Sequence, residues 1–461
     1  MKVFGLLTIC SFLFLIACNK EQSFDNSPSA RLNFSTDTLF FDTVFTEQGS
    51  TMRTLKIFNY NKQKIRINEL KLAGLGSSSF KMNVNGVSTD KLANIEIDGN
   101  DSIYVFVKVF IDPNAQNSTF LVEDSILINF NQKTQKIPLV AYGQNAVYIK
   151  SEQITSNTTF TKDKPYLIFG NLVVDKDATL TIDGGAKVYF HKKSKLTVNG
   201  TLQANGTLTD SIVFASDRTE RIYRDEPGQW EGIYLNPSSK DSHFNYCIIK
   251  NAITGVYVDS LSNNSNPKLL LTNTIIKNHQ IAGILAYRTH ITGINNLLFN
   301  CGKYLLGVFN GGNYQFYQST FAGYNPNMSR TDASVYFSDK NSSNTSSYLL
   351  DIDFRNNIIW GNNRNELEII KETTQPHTIN FERNVLKTTE STISQDNIFN
   401  IDPIFRNPRF SDFRVNEFSV ANDYGKSIFI GLPSIFIDTD LQGYSRVFPS
   451  TVGCYEKKAE P

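Results

Sequence analysis

The chain is 461 residues long with 40% apolar, 12% aromatic and only 19% charged residues. At roughly 100–200 residues per domain this leaves room for about two to four domains and excludes a disordered or peptide-sized protein. Its 45 basic and 44 acidic residues nearly cancel, so no overall field draws it to nucleic acid phosphates. Polarity comes mainly from Asn, Ser and Thr, which disfavours a helix-rich fold.

Lys2 is followed by an apolar run over residues 3–17, which Asn19, Lys20, Glu21 and Gln22 end abruptly. The run is too short for a comfortable spanning helix, which needs about 20 apolar residues, and has the order of a secretory signal. Leu15-Ile16-Ala17-Cys18 resembles the lipobox of bacterial lipoproteins. The resemblance implies cleavage after residue 17, acylation of Cys18 and a membrane partner reached through that lipid anchor. The expected location is the outer membrane, on its periplasmic or surface-exposed side. Residues 18–30 are polar, have no apolar period, and read as a tether. Cys247, Cys301 and Cys454 are few and widely spaced, so they read as small buried hydrophobes rather than as disulfide partners or a zinc site.

Over residues 31–145 apolar and polar residues alternate in short runs broken by turn residues. Ile103, Val105, Val107, Val109 and Ile111 fall on one face of a strand by the period of two. About seven such strands without a helical pattern predict an immunoglobulin-like sandwich that lacks the core disulfide. The recurring pattern Asp-Ser/Thr-apolar resembles the O-glycosylation acceptor of Bacteroidetes exported proteins, and the resemblance implies glycan on one or more of Thr38, Thr43, Ser102 and Ser125, although a turn residue leading into a strand accounts for most copies.

From residue 146 to about 400 the texture becomes short strands ending in Asn and Gly. Cys247-Ile248-Ile249, Thr274-Ile275-Ile276, Asn296-Leu297-Leu298, Ser319-Thr320-Phe321, Asn357-Ile358-Ile359 and Asn384-Val385-Leu386 recur at intervals of 27, 22, 23, 38 and 27 residues. Repeats of this length with strand character predict a solenoid, specifically a right-handed parallel β-helix. The column Ile249, Ile276, Leu298, Phe321, Ile359 and Leu386 is the expected interior, while the preceding column points outward or sits at a bend. Asn251, Asn278 and Asn300 are placed at strand ends, where Asn tolerates a left-handed backbone. The excess length between the Ser319 and Asn357 copies falls in residues 325–347, read as an excursion.

Gly228-Gln229-Trp230-Glu231-Gly232-Ile233-Tyr234-Leu235 resembles a coil of exported bacterial β-helix proteins. The closing segment, residues 401–461, resembles their ends: Ser419, Ala421, Asp423 and Gly425, then Asp440, Leu441, Gly443 and Arg446, then Gly453, Tyr455 and Glu456. Together these features resemble Bacteroidetes-type lipoproteins with an N-terminal immunoglobulin-like domain and right-handed β-helix repeats. The departures Val420, Asn422, Gln442 and Cys454 put in doubt a carboxylate role at position 442. The fold class is therefore all-β, a sandwich followed by a parallel β-helix solenoid. The resemblance leaves activity open, because such proteins include lyases, glycosidases and adhesins.

Two groups of residues could hold an acidic sugar chain. In residues 218–229, Arg218, Arg221 and Arg224 stand near Tyr223 and Trp230, and guanidinium forks suit uronate carboxylates. Lys250, Lys277, His279, Tyr287, Arg288 and His290 form a second candidate strip, in which Lys could neutralise a carboxylate and Lys, His or Tyr could take a proton. The remaining histidines, His191, His243 and His377, read as isolated. Asp351 and Asp353 share a strand face but are too few to make a calcium site, so no metal and no cofactor is expected. No Walker loop, dinucleotide fingerprint or Ser-His-Asp order is visible, which leaves no nucleotide partner. The expected function is a non-catalytic cell-envelope scaffold binding polysaccharide or another surface ligand, with a polysaccharide lyase or glycosidase acting on an acidic glycan as the alternative.

Overall fold

The computed structural model describes residues 23–326, 328–340, 348–372, 377–394, 396–431 and 434–457; Cys18 and the apolar run before it lie outside them. The chain divides into two compact units, Met1–Asn145 and Ala146–Pro461.

The first unit is an immunoglobulin-like sandwich of two five-stranded sheets. One sheet runs in the order Asn33–Phe34, Arg53–Asn59, Asp101–Val109, Phe80–Val84, Val87–Ser88, and the other Leu39–Phe45, Lys133–Gln144, Phe120–Phe130, Ile65–Leu72, Lys91–Ile97. Ile103, Val105, Val107, Val109 and Ile111 are all buried, as their alternation requires, and meet Ile126, Ile128 and Leu139 in one core. Two-residue strands such as Asn33–Phe34 escape a pattern search because two residues carry no period. Ser125 is buried beside Asp124, whose carboxylate accepts the backbone N–H groups of Ser125 and Gly74 at 2.7 and 3.0 Å. That site is closed to a glycan in the folded chain, and here the Asp-Ser pair serves a turn.

The second unit is a right-handed parallel β-helix with three faces. Its first face is an eleven-stranded sheet; its second and third faces join in a sixteen-stranded sheet because Ala282–Ile294 and Tyr304–Tyr317 each run through both. The repeat copies stack in register on the first face, Ile249 on Ile276, Leu298, Phe321, Ile359 and Leu386, every one inaccessible to solvent. The excursion after Ser319 is interrupted by a second-face strand, Val335–Ser338.

The leading residue of each repeat copy has a definite task. Cys247 N–H donates to Thr274 Oγ1, Thr274 N–H to Asn296 Oδ1, Asn296 N–H to Ser319 Oγ, Ser319 N–H to Asn357 Oδ1, Asn357 N–H to Asn384 Oδ1 and Asn384 N–H to Asn397 Oδ1, at 2.7–3.4 Å. At this corner the chain turns between faces and its N–H groups leave the sheet ladders, so each is met by a side-chain oxygen of the next coil. The asparagines also donate Nδ2 to carbonyls inside the coil, such as Asn357 to Phe316 O at 2.7 Å. At the opposite corner Asn251, Asn278 and Asn300 do adopt positive φ of 68°, 58° and 52°.

The outward column of the first face, including Leu297, Ile358 and Val385, is covered by the closing segment, which brings Phe405, Phe413, Val415, Leu441 and Val452 onto it. The motif residues of that segment form its fastening. Asp440 Oδ1 accepts Gln442 and Tyr444 N–H, Asp440 Oδ2 accepts Glu456 N–H, and buried Arg446 donates to Glu456 Oε2, Gly453 O, Thr451 O and the solenoid's Asn295 Oδ1. The carboxylate at 440 thus holds a turn, and Gln442 contributes its backbone to that turn.

Candidate functional site

Residues 217–231 link the first-face strand Ile212–Ser216 to the second-face strand Gly232–Leu235. Arg218 Nε donates to Glu220 at 3.1 Å, and its guanidinium lies 3.8 Å from the Tyr223 ring centre. Lys250 and Lys277 are in register on adjacent coils and fasten this loop: Lys250 Nζ donates to Arg224 O at 3.2 Å, and Lys277 Nζ lies 4.0 Å from Asp225 Oδ1. Burial, reinforced by the Lys277 ammonium, holds Lys250 below the usual lysine range. Arg221 and Arg224 are exposed. The structure therefore brings the arginine loop and the two lysines together at one corner, where part of their charge supports the loop.

Trp230, His279, Tyr287, Arg288 and His290 do not belong to that corner's surface. Trp230 is 1% exposed, stacks on Phe190 at 4.0 Å, and donates Nε1–H to Lys250 O, so it is core. His279 is inaccessible; its Nδ1 accepts Ala252 N–H at 3.2 Å and its Nε2–H donates to Ile249 O at 3.1 Å. Tyr287 and Arg288 lie on Ala282–Ile294, which bends between the second and third faces where Arg288 takes φ 45°, so Tyr287, Arg288 and His290 cannot share a strip with Lys250 and Lys277. Arg288 stacks 3.6 Å from the Tyr348 ring centre.

Burial pushes His279 down to about 4. Between the ordinary histidine value and that one, the unfolded chain binds a proton that the folded chain does not, so stability falls as pH falls through this window. The group should remove about 2 kcal/mol between pH 7 and pH 5. Denaturant midpoints at the two pH values should differ less for His279→Gln than for the parent; an equal difference would refute this assignment.

The histidines read as isolated are paired. His191 Nδ1 lies 2.7 Å from Asp217 Oδ2, His377 Nε2 lies 3.1 Å from Asp339, and His243 Nε2 lies 2.9 Å from Thr272 Oγ1. Burial raises the Asp217 carboxyl, with His191 opposing. Asp351 and Asp353 do share the outward side of the third face, where Tyr317, Arg355 and Asn380 hydrogen bond Asp353. Among the described residues, no group of three or more His, Cys, Asp or Glu side chains could hold a metal ion.

The most continuous surface feature is one that sequence reasoning missed apart from Tyr287. On the second face Tyr234, Tyr257, Tyr287, Phe309 and Tyr336 succeed one another with ring centres 5.3–5.4 Å apart. In-register parallel strands about 4.8 Å apart set that spacing. Buried Tyr304 closes one end against Tyr336 at 5.5 Å, and Gly307 makes room, since a Cβ there would meet the Tyr304 ring at 2.9 Å. Lys195 Nζ and Lys303 Nζ lie 5.5 and 5.0 Å from the Tyr234 and Tyr304 ring centres. Burial raises every tyrosine of the row, Tyr257 to about 12, so at neutral pH each keeps a phenol that can donate and accept. Rings standing perpendicular to the sheet offer edges and hydroxyls at a regular pitch along the solenoid. The signal was present as Gly232-Ile233-Tyr234-Leu235 and Gly255-Val256-Tyr257-Val258, a second repeat column that only alignment on this face reveals.

A family model described as a pectate-lyase-like β-helix domain matches residues 152–245. No curated protein matches the chain. Among solved structures it is similar to PapD-like domain 7 of human CEP192, at 7% identity and TM-score 0.18 over 28% of this chain and 94% of that one. A family 123 glycoside hydrolase from Clostridium perfringens matches at 8% and 0.19 over 28% and 30%, and the E. coli chaperone DraB at 10% and 0.17 over 25% and 55%. The chain thus spans under two thirds of the hydrolase and of the chaperone, and these likenesses say nothing of activity.

Proposed function

We propose that this chain is a cell-envelope lipoprotein, of the Bacteroidetes type its sequence resembles, whose solenoid is a non-catalytic scaffold binding polysaccharide along the second face. Residues 1–17 are its signal, Cys18 its acylated anchor, 18–30 its tether, 31–145 its spacer, 146–400 its β-helix and 401–461 its closing segment, on the outer membrane. The aromatic row carries this reading: a regular file of ring edges and phenols suits a linear polymer of repeating hydroxyls and apolar C–H faces. The pectate-lyase-like match over residues 152–245 is compatible with a protein that binds or acts on polysaccharide. No nucleotide or nucleic acid partner is part of the proposal.

The test incubates the mature chain, residue 18 onward, with acidic and neutral polysaccharides and follows binding together with new unsaturated or reducing ends. Binding without products is expected, and Tyr257→Ala with Tyr287→Ala should weaken it about tenfold or more, while Arg221→Ala leaves it within a factor of about two. Binding indifferent to the tyrosines would overturn the site. A processed chain whose intact mass shows no acyl group on Cys18 would overturn the anchor.

One observation favours the alternative, a lyase or glycosidase acting on an acidic glycan. His191, held through Nδ1 by Asp217 with its ring half exposed, sits where the arginine loop begins, and a carboxylate-oriented histidine is a competent proton acceptor. Products that vanish in His191→Ala would establish that reading.

A further inference from the structure

The sandwich carries a surface of its own. On its first sheet the strands Arg53–Asn59, Asp101–Val109 and Phe80–Val84 bury Leu55 and Ile57, Val105 and Val107, and Met82 and Val84. By the period of two, Lys56 and Phe58, Tyr104, Phe106 and Lys108, and Lys81 and Asn83 stand on the opposite side. Lys56 faces Tyr104 across the sheet, and Phe106 faces both Thr54 and Asn83. Phe58 stacks on Tyr60 at 5.3 Å and 15°, and Tyr104 on Phe106 at 6.1 Å and 9°. Lys56 Nζ lies between the two stacks, 5.0 Å from Phe58 and 5.1 Å from Tyr104. Tyr60 and Tyr104 remain 64% and 44% exposed, an unusual amount of aromatic surface for a face with no covering layer among the described residues.

Phe106 also forms one wall of an open groove of about 760 Å³, whose other lining includes Met52, Lys81, Asn83, Asp90 and Lys108. That volume falls within the range of ligand clefts, roughly 300–1,000 Å³. The charge of this sheet face is unbalanced: Lys81 pairs with Asp90 at 3.3 Å, while among the described residues neither Lys56 nor Lys108 has a carboxylate within 4.0 Å. Flat apolar surface, ammonium groups raised above it and amide and hydroxyl groups in the groove suit a chain of sugar rings bearing carboxylates.

We propose that this face binds a uronate-containing glycan, with sugar rings against Tyr104 and Phe106 and carboxylates at Lys56 and Lys108. The site lies on a different unit from the tyrosine row and does not rest on that row's function. The probes are a pentameric oligogalacturonate, a neutral galactan oligomer of equal length and a polyphosphate of equal charge, titrated calorimetrically into the mature full-length chain. In a Tyr257→Ala/Tyr287→Ala background, which removes binding at the row, binding of the acidic oligomer should fall at least about tenfold when Tyr104→Ala/Phe106→Ala or Lys56→Gln/Lys108→Gln is added; the neutral oligomer should bind that background more weakly by a similar factor. The altered side chains are on the surface, and unchanged thermal midpoints certify folding; the lysine pair supplies a second, milder variant. Oligogalacturonate binding lost only with the solenoid tyrosines, equal binding of the neutral oligomer, equal binding of polyphosphate, or no binding would each overturn the proposal. If the row proves inert while the sandwich variants lose binding, the reading of the solenoid fails and this one stands.

Discussion

Arg330→Met should lower the stability of the folded solenoid by about 3–5 kcal/mol, the scale of a buried ion pair broken on one side. Arg330 and Glu366 have side chains 3% and 0% exposed and meet through Nη2, at 2.9 and 2.7 Å from the two carboxylate oxygens. Arg330 also donates to Asp332 O and Gly323 O, and Glu366 accepts Asn363 N–H, so the pair ties residues 324–334 to the turn of the following coil. Gly323 and Gly361 leave the space it occupies; a Cβ at either would sit 2.5 or 2.4 Å from a Glu366 oxygen. Removing the guanidinium strands a carboxylate with one remaining N–H partner. Two consequences make the account specific. In Arg330→Met the stranded Glu366 should take up a proton more readily when folded than when unfolded, so the variant's deficit should shrink as pH falls from 7 towards 5. Arg330→Met with Glu366→Leu should recover most of the loss. Chemical denaturation of the three variants at both pH values checks this, and a double variant as unstable as the single would refute it. The loop leads into Val335–Ser338, so the same variant should disturb the Tyr336 end of the aromatic row.

Period and repeat were legible wherever a side chain's role follows from its own strand. The sandwich core residues 103–111 and the interior column from Ile249 to Leu386 needed only alternation and alignment. Function-bearing surface was harder, because it depends on which residues of distant coils become neighbours. Trp230 looked like a sugar platform, yet a large ring beside a loop can equally fill the solenoid, and Phe190, forty residues earlier, decides it. His279 stood two residues beyond Lys277 and so on the same side by strict alternation. The positive φ of Asn278 breaks that alternation and turns the imidazole inward onto Ile249 O. The closing motif was recognisable by its residues, but that it lies along the first face rather than over the end of the coil follows from Phe299, Trp360 and their neighbours needing cover.

Asn357→Ala is the second large effect, about 3–5 kcal/mol, and it tests why the leading repeat residue is small and polar. Asn357 Oδ1 is the acceptor for Ser319 N–H, Nδ2 donates to Phe316 O and Asn384 Oδ1, and all of these residues except Phe316 and Ser319 are asparagines of the same corner row. The site is inaccessible to water, so alanine leaves a buried N–H and a buried carbonyl unmet, each costing about 1–3 kcal/mol, and adds a small void. Exposed Asn362, five residues away, has no comparable role, and Asn362→Ala should stay within about 0.5 kcal/mol. Amide exchange locates the effect: Ser319 N–H should lose protection first, because its acceptor is gone, whereas Cys247 N–H, bonded to Thr274 three coils away, should keep it. A solenoid's stability is a sum of local and nearest-neighbour terms, so damage at one corner should spread to adjacent coils before distant ones. Uniform loss of protection from Cys247 to Asn384 would instead mean that the eleven-stranded face opens as one unit, and the corner row would then be a passive consequence of the stacking it is here held to direct.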